Sequence, residues 1–285
     1  MTVKQKGDLR ILFWNIQDWS LRNGATAAAE RFDRVLSVLR REKPDVTILA
    51  EVIDPEIKNR LAEALPGHTL FQTITRDSRE LVAIFRHAAD RSVTVEQRNE
   101  FSDDALNYRA FPLVRVLSRD FNLAVLGVHS KSGSTPESLA RRLRTLAQIG
   151  NLQANLANKN VPLIALGDMN TMGEGAQGKI DGAQEIAMTA RIMGKAGMTL
   201  LEHDKPHTWH GIERDAQYPD CRLDQALVST TALSRLRPVS NDNSPTTAHV
   251  RVMGWPHESP GLARDQWIRK NSDHAYLVVD VKPQP

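Results

Sequence analysis

The sequence predicts an α/β protein in which a few amphipathic helices cover sheets built from many short strands. Three observations carry this reading. Short apolar runs recur along the whole chain, helical periodicity is confined to a few segments, and no repeat, low-complexity tract or long linker divides the 285 residues. A single domain spanning residues 1–285 is the simplest organisation.

The strand-like runs are residues 10–14 (RILFW), 46–50 (VTILA), 81–85 (LVAIF), 123–128 (LAVLGV), 163–166 (LIAL) and 276–281 (YLVVDV). Each is short, aliphatic or aromatic, and bounded by polar or turn-forming residues, as buried strands are. Between the first two runs, Phe32, Val35, Leu36 and Leu39 share one helical face. Pro55 suits the first turn of a second helix running to Leu65, where Pro66 and Gly67 stop it. A third helix follows Pro136, with Leu139, Leu143, Leu146 and Ile149 on one side. Two polar stretches read as surface loops: the glycine-rich 171–182, and a loop insertion near 240–271 that carries prolines, histidines, arginines, Trp255 and Trp267.

Composition excludes rather than selects. Hydrophobic residues make up 41% and charged residues 25%, enough to bury a core, so a disordered chain is not expected. The formal charge of +3 is compatible with a polyanionic partner and equally with an ordinary soluble surface. Cys221 is the one cysteine, so no intrachain disulfide can form. The start MTVKQKGDLR lacks the apolar stretch of a secretory signal, and no run reaches transmembrane length. A cytoplasmic location is the expectation, and nothing in the sequence fixes the oligomeric state.

Several apolar runs end in groups suited to phosphate chemistry. Asn15 follows the first, Glu51 the second, His129 the fourth, and Asp168 with Asn170 the fifth. Hydrolysis of a phosphodiester at a hard cation needs oxygen ligands, a positioned water, donors for the phosphate oxygens and an acid for the leaving group. Each residue taken alone has a plainer reading, because strands commonly end in Asn, Asp or Gly at turns. His274 could be a hydrogen-bonded strand-edge histidine, and Asp224 an ion-pair partner for Arg222. The ordered set is harder to dismiss: H-x-K-S-G at 129–133, G-D-x-N at 167–170, T-W-x-G at 208–211, R-L-D at 222–224 and S-D-H at 272–274.

With these motifs the chain resembles the endonuclease/exonuclease/phosphatase superfamily over nearly its whole length. The resemblance implies a four-layer αββα sandwich, two mixed β-sheets face to face with helices outside, and an active site at converging strand ends. It implies that Glu51 holds a divalent ion, Mg2+ or Mn2+, with Asn15 beside it and Asp273 completing or positioning the metal site. Asp168 would orient and deprotonate the attacking water, and Asn170 would donate its amide to a non-bridging phosphate oxygen. His274 would contact the scissile phosphate with Asp224 behind it. His129 resembles the second histidine of the pancreatic deoxyribonuclease and sphingomyelinase branch, a general-acid position. Glu80 is a candidate carboxylate partner for His129, although an exposed strand charge is the simpler reading.

Within the family, His129 disfavours the abasic-site endonuclease branch, which carries Tyr followed by Pro-Asn there. Thr171-Met172 after Asn170 departs from the inositol phosphatase pattern. Ala275-Tyr276 after His274 lacks the proline usual two positions beyond the motif histidine, a change in the turn that leaves the ligands intact. Arg109 and Lys131 fall near family motifs and are candidate substrate contacts; Arg115, Arg141, Arg142, Arg251, Arg264, Arg269 and Lys270 are further cations able to follow a phosphate backbone. The reading is a nuclease acting on nucleic acid. A phosphatase or phosphodiesterase for a small phosphorylated metabolite or lipid headgroup is the alternative, and the intact acid, base and metal set argues against a silent binding module.

Overall fold

In the computed structural model, residues 4–20, 25–74, 80–86, 89–101, 109–174, 180–239 and 247–284 are described. In chain order the elements are β1 (Leu9–Trp19), α1 (Ala25–Glu42), β2 (Val46–Val52), α2 (Pro55–Ala64), β3 (His68–Gln72), β4 (Glu80–Arg86), β5 (Arg91–Arg98), β6 (Phe111–Ser118), β7 (Asn122–His129), α3 (Pro136–Ala157) and β8 (Leu163–Asp168). There follow α4 (Gly182–Lys195), β9 (Met198–Leu200), β10 (Asp224–Ser229), α5 (Thr230–Leu233), β11 (Arg251–Met253), α6 (Leu262–Lys270) and β12 (Tyr276–Val281). The strands form two six-stranded mixed sheets, in the orders β11-β12-β1-β2-β4-β3 and β5-β6-β7-β8-β10-β9.

The period-two alternation of β1 builds the layers. Leu9, Ile11 and Phe13 join one buried cluster with Ile48 and Ala83 of the same sheet and Leu113, Val125 and Ala226 of the other. Leu12 and Trp14, on the opposite face, pack instead with Phe32, Val35, Leu36 and Leu39 of α1. Leu146, Ile149 and Leu152 of α3 and Met193 of α4 are buried with the second sheet. The layers therefore run helix, sheet, sheet, helix, as the resemblance implies. Gly127 of β7 marks the close approach of the two sheets, since a Cβ there would lie 2.6 Å from Ile48 Cγ2.

All six apolar runs lie in strands and all three helical patterns in helices. Asp54 and Thr135 cap α2 and α3 through their side chains, with Pro55 and Pro136 in the first turn. The stretch near 240–271 is more ordered than its composition indicates. Residues 240–246 lie outside the described set, but from 247 onward it holds β11, a 3-10 turn (Trp255–His257) and α6. Trp255 is buried, and Trp267 packs 6.1 Å from Trp14, so these two rings serve the core.

Two arginines read as phosphate contacts are structural. Arg142 is buried and donates from Nε and Nη2 to the Glu185 carboxylate at 2.6 and 2.8 Å, and to the carbonyls of Lys131, Gly133 and Gly173. Arg251 is buried between Glu42 and Asp280. Both hold charge inside the fold, where a pair is retained only if its partners stay in place. No helix among the described residues is long and apolar enough to cross a membrane.

Candidate active site

Sheet register explains why distant motifs meet. In the second sheet His129 is the partner of Asp168 across the parallel β7–β8 pair, and Asp168 is the partner of Asp224 across the antiparallel β8–β10 pair. Three motif residues thus form one row. In the first sheet Asn15 pairs with Ala50, which sets Asn15 beside Glu51 where the regular β1–β2 ladder breaks off. His274 stands two residues before β12, which runs antiparallel to β1. The two sheets bring these ends face to face.

Asn15 is the hub. Its Nδ2 donates to Asp168 Oδ2 at 3.0 Å and Glu51 Oε1 at 3.2 Å, and lies 3.5 Å from His274 Nε2. The backbone N–H of Gln17 donates to Asn15 Oδ1 at 3.0 Å, a network that fixes the amide orientation. Asn15 therefore turns a donor, rather than a ligand oxygen, toward the carboxylates. Gln17 and Asp18 adopt left-handed backbone conformations, φ 49° and 46°, which let the Asp18 N–H reach Glu51 Oε2 at 3.0 Å. Arg31 of α1 braces this turn by donating to the carbonyls of Ile16 and Gln17. Burial pushes the Arg31 guanidinium down to about 10, with Asp273, Asp18 and Glu51 opposing the shift. Sequence gave no sign of Arg31, because its role depends on where the turn folds back.

Asp168 follows Gly167, where a Cβ would sit 1.9 Å from the Val128 carbonyl oxygen; only glycine fits before the carboxylate. Burial raises the Asp168 carboxyl above the usual range, aided by Asp224 and Glu51 and opposed by the two imidazoles. The Asn170 N–H donates to Asp168 Oδ1 at 2.9 Å, and Asn170 Nδ2 to the Ser130 carbonyl at 3.1 Å. Arg109 also donates to Ser130 O, which places its charge beside His129. Lys131 is exposed at the rim.

The two histidines have opposite character. His274 Nδ1 lies 2.9 Å from Asp224 Oδ2, and its Nε2 is 4.0 Å from Asp168 Oδ2. Burial opposes the imidazolium, yet Asp224 first and then Asp168 and Asp273 outweigh it and raise the His274 pKa well above 6.5. Burial lowers the His129 pKa, Arg109 adds to this, and Glu51 opposes it. His129 Nε2 is 3.3 Å from Glu51 Oε1 and 3.8 Å from Asp168 Oδ2. The carboxylate nearest His129 is thus that of Glu51. Glu80 pairs with Val52 in the backbone ladder, and its side chain lies outside the described residues.

Asp224 meets His274 rather than Arg222, whose Nη2 donates to the Leu201 carbonyl and whose Nη1 pairs with Glu202. Thr208 of T-W-x-G anchors this strand end, its Oγ1 accepting from the N–H groups of Leu223 and Asp224 at 3.0 and 2.9 Å. Trp209 Nε1 donates to Asp273 Oδ2 at 2.9 Å. Burial raises the Asp273 carboxyl, with Glu51 adding and Trp209 opposing.

Two groups bring ligand atoms within 4.8 Å of one another: Glu51, His129 and Asp168, and Asp168, Asp224 and His274. Asp273 belongs to neither. Of the first set, the Glu51 carboxylate supplies the hard oxygen donors that a divalent cation takes, with Asp168 and His129 beside it.

The model of the endonuclease/exonuclease/phosphatase family matches residues 14–274, an interval that contains every one of these groups. The chain belongs to that family. Its chemistry is therefore metal-dependent hydrolysis of phosphoric ester bonds. A comparison with curated proteins finds no match. Among solved structures, TDP2 of D. rerio complexed with single strand DNA product superposes with a TM-score of 0.67 at 18% identity, covering 96% of this chain and 99% of that one. The 3′-5′ exonuclease NExo from Neisseria meningitidis gives 0.63 at 16% identity, covering 96% and 100%. Truncated TDP2 of Caenorhabditis elegans gives 0.61 at 14%, covering 96% and 98%. At these identities the likeness shows the shared endonuclease/exonuclease/phosphatase fold.

Proposed function

We propose that this family member is a nuclease that cleaves phosphodiester bonds of nucleic acid with Mg2+ or Mn2+, one catalytic domain acting in a cytoplasmic setting. The observation that carries the reading is the position of Asp168. Its Oδ2 lies 3.0 Å from Asn15 Nδ2, 3.8 Å from His129 Nε2 and 4.0 Å from His274 Nε2, a carboxylate held among donors with its proton affinity raised by burial. Such a group suits a general base for water.

Glu51 is the principal metal carboxylate in this reading, steadied by Asn15 Nδ2 and the Asp18 N–H, with Asp273 flanking it. When bound, the ion supplies Lewis-acid stabilisation of charge developing on the phosphate. Asp168 takes the proton of the attacking water as the new P–O bond forms. The Asn170 amide, whose second N–H is left after Ser130, and the His274 imidazolium donate to the non-bridging oxygens. As the bond to the leaving oxygen breaks, that oxygen takes a proton from His129. Burial and Arg109 keep His129 neutral without substrate, and the negative charge of an incoming phosphate raises its proton affinity. Arg109, which donates to the Ser130 carbonyl, and the exposed Lys131 are the candidate contacts for flanking phosphates in this reading.

Nucleic acid as the substrate is supported by the solved neighbours, one titled with single strand DNA product and another, the 3′ phosphatase NExo from Neisseria, with product DNA hairpin. The test is a panel of plasmid DNA, RNA, bis-p-nitrophenyl phosphate and inositol phosphates with the chelated protein, before and after Mg2+ or Mn2+. Metal-restored cleavage of polymer, lost in Asp168→Asn, is the expected result. Turnover of inositol phosphates alone would overturn the nuclease reading in favour of a small-phosphoester hydrolase.

A further inference from the structure

A second phosphate-binding feature lies at the other end of the first sheet. A cavity of about 540 Å3 opens beside the starts of β1 and β2, lined among others by Arg10, Lys43, Arg86, Arg91 and Arg251. Arg10 precedes Asn15 by five residues on β1, so at ~3.3 Å per residue the cavity is roughly 17 Å from the catalytic hub. Eight Lys or Arg residues line it against three acids, Asp8, Glu42 and Asp45. An excess of cations over acids of this size in a concave site is a field for anions.

Part of this charge is committed to the fold. Arg10 makes a bidentate pair with Asp280, both contacts 2.7 Å, and Lys4 and Arg91 share Asp45. Arg251 lies between Glu42 and Asp280, so the lining cations without an acidic partner among the described residues are Lys6, Lys43 and Arg86. Arg251 is only 5% exposed, yet its Nη2 has no hydrogen-bond partner among the described residues and stands 3.6 Å from Asp280 Oδ2. Arg91 Nε is likewise buried without a hydrogen-bond partner among them. Burial and the neighbouring Arg10 charge lower the Arg251 pKa, the mark of two guanidinium groups crowded together. Lys43 and Arg86 stand exposed at the rim. A multivalent anion would take charge-assisted hydrogen bonds from the exposed Lys43 and Arg86, and its charge would offset the crowding of the buried guanidinium groups behind them.

We propose that this cavity binds a free, compact phosphate compound carrying several charges, such as pyrophosphate or the phosphate tail of a nucleotide, at a site separate from the catalytic centre. The cations converge on one concavity of small-ligand size rather than tracking along a surface, which favours a free phosphate over a nucleic-acid strand.

Calorimetric titration of the full-length protein with pyrophosphate, in chelator so that no metal assists the catalytic centre, tests the proposal. Saturable binding is expected in wild type and unchanged in His274→Ala. It should weaken at least about tenfold in Lys43→Gln/Arg86→Gln, the scale of losing charge-assisted hydrogen bonds, and further in Arg251→Met if that variant folds. The rim variant removes only exposed side chains, so it decides the matter alone. Absence of binding, equal binding by the rim variant, loss in His274→Ala, or displacement of pyrophosphate by short oligothymidylate would each overturn the assignment.

Discussion

His274 and Asp224 form a buried imidazole–carboxylate pair, Nδ1 to Oδ2 at 2.9 Å, that keeps the imidazole charged against the cost of its burial. The charged form therefore persists above 6.5, and removing the carboxylate lowers the pH at which it is lost. Asp224→Asn should reduce kcat by about a hundredfold, the scale of one electrostatic group in a site, and start the alkaline decline of the pH–rate profile at lower pH. A reduced rate with an unmoved profile would separate Asp224 from the His274 charge.

Removal of the metal should abolish hydrolysis, and Glu51→Gln should weaken Mn2+ binding on the order of ten- to a hundredfold or more. Asn15 Nδ2 and the Asp18 N–H point at Glu51, so the substitution disturbs the group both are arranged around. Calorimetry with Mn2+ on the folded variant reads this directly. Full activity after exhaustive chelation would contradict it.

Breaking the Arg142–Glu185 pair leaves a buried carboxylate uncompensated. Arg142→Met should cost about 3–5 kcal/mol in urea denaturation, and Arg142→Met/Glu185→Leu less than that single change. Because Arg142 also binds the carbonyls of Lys131, Gly133 and Gly173, the double variant should stay slow in catalysis even where it recovers stability.

His203 is buried with both ring nitrogens lacking a hydrogen-bond partner among the described residues, and burial followed by Arg222 holds its pKa well below 6.5. The unfolded chain binds this proton more readily than the folded one. Stability is therefore full above about 6.5, the unfolded value, and falls as the pH drops below it toward the folded pKa. The difference in denaturation midpoint between wild type and His203→Leu should be constant at alkaline pH and shift against wild type under acid. Parallel curves would assign the acid sensitivity elsewhere.

Arg264 and Arg269 pair with Asp220 and Glu213, and Asp220 also pairs with His210, whose N–H donates to the Asp273 carbonyl. This chain of contacts ties α6 to the rim of the site. Replacing Arg264, Arg269 and Lys270 by Ala should weaken binding of nucleic acid and flatten its salt dependence while hydrolysis of a small diester changes little. Equal losses on both substrates would place these residues in the support of the site rather than in a groove.

The parts of this fold legible in the sequence were those written in one contiguous signal. Strands such as 10–14 and 163–166 are apolar runs, and α2 and α3 carry prolines at their starts. In contrast, β5 alternates exposed and half-buried positions with Arg, Glu and Gln among them, so no apolar run marks it. Helix α4 opens at Gly182 behind a glycine-rich stretch, its capping box of Asp181 and Gln184 hidden in what reads as loop. The site residues were visible because family motifs cluster at strand ends. Their pairings were not: that Glu51, from the other sheet, meets His129 depends on how two sheets face each other, which local pattern does not encode.

Gly127 stands two residues before His129 and faces Ile48, three residues before Glu51. The missing Cβ thus acts as a spacer of zero thickness between the strands that deliver the two halves of the site. Any side chain at 127 would push β7 away from β2 and open the 3.3 Å gap between His129 and Glu51, detuning the centre without touching one of its residues. The calibre of the catalytic cleft is set from inside the core.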